Sequence, residues 1–79
     1  MKRVLFVVET PENIRIITYD YGKMEGKEYV IDLEKEFTPE ERIKEIIAEL
    51  ENKKYDTRIL KQFLKKRGKK LRRGALRHG

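Results

Sequence analysis

The sequence predicts an α+β fold: a three-stranded antiparallel β-meander packed on one face by two C-terminal helices and followed by a flexible basic tail. Three observations carry this expectation. The first half holds three short β-branched or aromatic runs separated by turn residues. The second half holds two stretches of helical periodicity. Acidic residues stop abruptly, with none after Asp56.

The first run, Val4–Val8, is β-branched and aromatic-rich. Thr10-Pro11-Glu12-Asn13 reads as a turn, because proline fixes φ and asparagine tolerates the left-handed region. Ile14–Asp20 is the second strand. Gly22 and Gly26 are expected to bracket a polar loop, and Lys27–Leu33 is the third strand, with Tyr29, Ile31 and Leu33 alternating against Glu28, Val30 and Asp32. Short connections make the antiparallel meander the simplest topology. Of the strand aromatics, Phe6 and Tyr29 are expected in the core.

A helix follows with a full set of start signals. Thr38 is the expected N-cap, Pro39 the first helical residue, and Glu41 the third position of a capping box. Ile43, Ile46, Ile47 and Leu50 recur at i, i+3, i+4 and i+7 and form one apolar stripe. Glu41, Glu45 and Glu49 make the outer face acidic, and Lys53 and Lys54 complement the C-terminal end of the dipole. After a turn at Asn52–Asp56, a second helix is expected to run to about Arg67, with Gly68 as its terminator. Ile59, Leu60, Phe63 and Leu64 fall on one side of it; Arg58, Lys61, Lys65 and Lys66 fall on the other, with Gln62 among them. One domain is therefore expected over 1–67 and a basic, disordered tail over 68–79.

Charge is the strongest functional signal. Residues 1–57 carry ten Lys/Arg against fourteen Asp/Glu, a net of −4, whereas residues 58–79 carry ten Lys/Arg and no acid, a net of +10. Such a run meets a polyanion or stays solvated. Phosphate backbones reward clustered cations through counterion release. The expected contacts are Arg58, Lys61, Lys65, Lys66, Arg67, Lys69, Lys70, Arg72, Arg73 and Arg77. Base-edge reading has only Gln62 to draw on, so phosphate and shape recognition is favoured, and structured RNA over DNA. The expectation is a non-enzymatic, cytoplasmic nucleic-acid-binding protein, of ribonucleoprotein or ribosome-associated type.

Other classes find less support. There is no Cys and no Ser, and His78 is the only imidazole. Nucleophilic catalysis therefore has no activated group. Glu9, Asp20 and Asp32 near strand ends are the only candidates for a carboxylate metal site of nuclease type, and they form no motif. No cofactor or metal is expected. No apolar stretch approaches membrane-spanning length. The abundance of Lys and Glu over Asn, Gln and Cys is a thermophile-like bias.

Two alternatives involve the second helix. Its basic face and the short turn before it also fit a DNA-binding helix-turn-helix-like regulator. Thr57-x-x-Leu60-x-x-Phe63-Leu64 resembles the short box by which replication and repair proteins dock on sliding clamps. Thr57 stands where that family has Gln, and Leu64 where it has a second aromatic. The resemblance implies a protein–protein adaptor or inhibitor, acting through this helix or a sheet edge. The same residues equally make the core-facing side of an amphipathic helix, which is the favoured reading.

Overall fold

The structure, a computed structural model, describes residues 1–78, with side chains described through residue 68. Three strands, β1 (Lys2–Glu9), β2 (Asn13–Asp20) and β3 (Glu25–Asp32), form one antiparallel sheet in the order β1-β2-β3. Two helices follow, α1 (Pro39–Asn52) and α2 (Arg58–His78). The expected α+β meander with two C-terminal helices is the observed architecture.

Alternation along β2 sets the two faces of the sheet. Ile14, Ile16 and Thr18 are buried beneath the helices, and Asp20 ends the same row. Ile31 of β3 lies opposite Ile14, and Tyr29 opposite Ile16. Val4 of β1 lies opposite Thr18. Against this layer α1 sets Ile43, Ile46, Ile47 and Leu50, and α2 sets Leu60. Val7, Tyr29, Leu33, Tyr55, Phe63 and Leu64 pack around the rim. The apolar stripe read along α1 is therefore the buried one.

A bulge in β1 changes what faces the helices. Val4 pairs with Thr18, yet Phe6 pairs with Ile17, so Leu5 is an extra residue in the ladder. Beyond it every side chain changes sides relative to simple alternation. Val7, opposite Ile16, joins the core, and Phe6, expected in the core, is 50% exposed on the open face. Tyr29 packs against the core as expected and donates its hydroxyl to Glu49 of α1 at 2.9 Å.

The turns also depart from expectation. Gly26 lies within β3 opposite Tyr19, and the Tyr19 ring crosses close to it: a Cβ there would stand 3.5 Å from Tyr19 Cδ1. The β2–β3 turn is held instead by Asp20, which accepts the N–H groups of Gly22 and Lys23. Thr38 and Pro39 occupy the expected places at the start of α1, but the Thr38 side chain makes no capping hydrogen bond. Its carbonyl accepts Glu41 and Arg42 N–H instead.

After α1, the Lys54 N–H bonds the Glu51 carbonyl and the Tyr55 N–H bonds the Leu50 carbonyl, with Lys54 at φ 71°. This is a Schellman closure with lysine in the position that favours glycine. Asp56 then pairs with β1 as a one-residue parallel bridge: its N–H bonds Lys2 O and its carbonyl accepts Val4 N–H, both at 2.9 Å.

Gly68 does not end α2. The helix passes through it to His78, and Gly68 does not adopt a positive φ. The expected boundary between residues 67 and 68 thus falls inside a helix. The mobility expected of the tail, and the side chains of Lys69, Lys70, Arg72, Arg73 and Arg77, lie outside the described residues.

Replacing Lys54 with Gly is expected to raise stability by about 0.5–1 kcal/mol in urea denaturation, because the left-handed conformation strains any side chain. A loss of stability would show that Lys54 contributes something the Schellman geometry does not explain.

Candidate nucleic-acid interface

α2 carries the expected cationic surface, and its local chemistry divides that surface into separate parts. The helix starts at Arg58, whose N–H bonds Asp56 Oδ1 at 3.0 Å. The Arg58 guanidinium returns to the same carboxylate, with Nη2 2.8 Å from Oδ2. These bonds, the side-chain one foremost, hold Asp56 down at a pKa of about 2. Lys61 pairs with Glu51 of α1, which also accepts the Thr57 hydroxyl at 3.0 Å. The hydrogen bonds from Lys61 and Thr57 hold Glu51 below the usual carboxylate range.

Lys65 and Lys66 are exposed, and no described acid pairs with either. Arg67 behaves differently from its neighbours. Its side chain is only 19% exposed, and its guanidinium reaches both Glu9 at the end of β1 and Glu40 in the first turn of α1. Burial works against its charge, but the bonds to Glu40 and Glu9 outweigh burial and raise its pKa. Arg67 is thus committed to holding three elements together. The ridge presented outward by the described part of α2 is Arg58, Lys61, Lys65 and Lys66.

The side of α2 opposite this ridge is occupied. Leu60 is fully buried, Thr57 is buried, and Phe63 and Leu64 pack against the core. The residues resembling a clamp-docking box therefore form the packed side of the helix.

A second cationic feature has no counterpart in the sequence reading. Lys2 of β1, Lys23 of the turn, Lys27 of β3 and Lys53 after α1 line one hollow with Asp20, Glu25 and Tyr55. The strand register accounts for it by placing Lys2 beside Asp20 and Asp20 beside Glu25. Lys2 donates to the Lys53 carbonyl at 3.1 Å and lies 5.6 Å from the Tyr55 ring centre. Burial would raise the Asp20 carboxyl, but the Lys23 and Gly22 N–H groups, with the charges of Lys2 and Lys23, bring it below its ordinary value. Lys2 and Lys53 are far in sequence from Lys23 and Lys27, so only the tertiary pairing could have revealed the group.

The three strand-end carboxylates do not form a metal site. Glu9 binds Arg67, Asp20 caps its own turn, and Asp32 accepts the Glu34 N–H at 3.0 Å. Asp20 lies at the opposite end of β2 from the residues that pair with Glu9 and Asp32. Among the described residues no group of three His, Cys, Asp or Glu side chains could hold a metal ion, and no helix is long and apolar enough to cross a membrane.

No protein-family model, no curated protein and no solved structure matches the chain.

Arg67→Ala is expected to lower stability by about 1–3 kcal/mol, because it leaves Glu9 and Glu40 without their shared cation. Partial exposure of the carboxylates keeps the figure below that of a fully buried pair. Arg67→Lys should recover only part of the loss, since one ammonium cannot reproduce the two-way guanidinium geometry. Urea denaturation of the three proteins reads this directly; an unchanged midpoint for Arg67→Ala would remove Arg67 as the tie between the elements.

Proposed function

We propose that the protein binds nucleic acid without catalysis, structured RNA in preference to DNA, through phosphate contacts made by α2. The observation that carries this reading is the charge of one element: ten Lys/Arg and no acid from Arg58 onward. The reading is supported by the way that charge is mounted. Leu60 and Arg67 fix one side of the helix, which leaves Arg58, Lys61, Lys65 and Lys66 on the other. Arg58 and Lys61 have intramolecular partners, but these are surface pairs, and a phosphate can replace such a partner at little cost. Lys69, Lys70, Arg72, Arg73 and Arg77 continue the basic sequence. The set proposed for phosphate neutralisation is these nine residues; Arg67 is left out because it serves the fold.

RNA is favoured over DNA on the chemistry of recognition. Gln62 is the only amide on α2, so the helix has little with which to read base edges in a major groove. Cations spaced along a helix suit shape and backbone recognition. The acidic outer face of α1, with Glu41, Glu45 and Glu49 exposed, limits the side from which a polyanion approaches. Ribonucleoprotein or ribosomal association in the cytoplasm is the setting that fits such a contact set.

The helix-borne adaptor reading is not favoured, because Leu60, Phe63 and Leu64 serve the core.

Titration of a structured RNA hairpin across salt concentrations tests the proposal. Engagement of about six phosphates predicts a log–log slope of about −5, and Lys65→Ala with Lys66→Ala should make it shallower by about 2. An affinity nearly independent of salt, or a double variant with unchanged slope, would contradict it.

A further inference from the structure

The sheet face turned away from the helices is uncovered and apolar. Register places Val8, Arg15 and Val30 in one row across it and Phe6, Ile17 and Glu28 in the next. Phe6 is 50%, Val8 42% and Val30 54% exposed. At one end of this block Tyr19 and Tyr21 meet edge to face, with ring centres 4.9 Å apart, beside Leu5 and Met24. The exposed apolar area is on the order of 500 Å², at the upper end of what a monomer ordinarily shows.

We propose that this face is the interface of a homodimer, covered by the same face of a second copy. Charge is the first argument. The two rows hold one ion pair, Arg15 with Glu28 at 2.7 Å, so the centre of the face is locally neutral, with Arg3 at its tyrosine end. A two-fold axis between those residues sets each arginine against the other copy's glutamate, which makes the surface complementary to itself. Size is the second argument. Two such faces bury on the order of 1,000 Å², about the threshold for a specific interface. Sheets stacked face to face pack well in this way, with side chains interleaved about 10 Å apart.

The position of α2 is the third argument. It packs on the opposite side of the sheet, so a dimer formed through the open face carries its two cationic helices on its outer surfaces. Their repulsion does not oppose association, and the dimer presents two basic ridges facing apart. A base-stacking platform is the competing use of exposed aromatics. It calls for cations beside the rings to take the phosphates. Around Phe6 the neighbours are Val8, Ile17 and Val30, and the Arg15 charge is already matched by Glu28. A further cation, Arg3, stands only at the tyrosine end, in register with Tyr19, so the two central rows offer a phosphate no unmatched charge.

The inference does not depend on nucleic-acid binding and is tested without it. Sedimentation equilibrium of the full chain, from micromolar to submillimolar concentration, should show a monomer–dimer equilibrium. Phe6→Glu and Val30→Lys, each at an exposed position, should weaken it by about tenfold or more while the far-ultraviolet circular dichroism is kept. Arg15→Glu combined with Glu28→Arg, which swaps the pair, should preserve the dimer and guards against a variant that fails to fold. A chain that stays monomeric throughout overturns the proposal. So does a dimer unaffected by folded Phe6→Glu and Val30→Lys. A monomer whose binding to a single-stranded RNA oligonucleotide is lost in Phe6→Glu would also overturn it, in favour of the stacking platform.

Discussion

Arg67 is the constraint on which the cationic helix depends. Among its described side chains, α2 contributes one fully buried apolar residue, Leu60, with Phe63 and Leu64 packed around it. Most of the rest of its described length is charged or polar. A helix with so narrow an apolar contact is held weakly by burial alone. The guanidinium of Arg67 extends the attachment by one further turn, to Glu9 on the sheet and Glu40 on α1. Glu40 already stands at the positive end of the α1 dipole, and its carboxylate serves both the helix end and the arginine. One cation from the basic segment thus fixes the orientation of the others.

The bulge at Leu5 has a comparable effect on the sheet. It delivers Val4 and Val7 to the same side, where both meet the helices, and turns Phe6 and Val8 outward. The molecule acquires two distinct outer surfaces from this arrangement. One is polar, with the α2 ridge and the exposed carboxylates of α1. The other is the apolar open face of the sheet. A phosphate backbone and an apolar partner would therefore meet the chain on different sides, and neither contact need exclude the other.

The main elements were legible in the sequence because each carries a period. The isoleucine stripe of α1 and the alternation in β2 have no competing reading, and both appear as expected. Alternation alone puts Phe6 inside, because a bulge leaves no mark in the pattern until the partner strand is known. Gly68 reads as a stop signal, yet a glycine costs only about 1 kcal/mol inside a helix and does not compel an end. Arg67 looked like one more cation in a basic run; its two carboxylate partners lie 27 and 58 residues away, and no local pattern connects them. The parallel bridge at Asp56 and the four-lysine hollow were hidden for the same reason: both are products of tertiary pairing.

The most direct test of a nucleic-acid grip anchored on α2 is amide chemical-shift mapping by NMR during titration with a structured RNA hairpin at low salt. The expected result is a set of large shifts along α2 from Arg58 to Lys66, which fade as salt is added, with the amides of Phe6, Ile17 and Val30 unmoved. Shifts confined to the sheet, or none on α2 at saturating RNA, would contradict it.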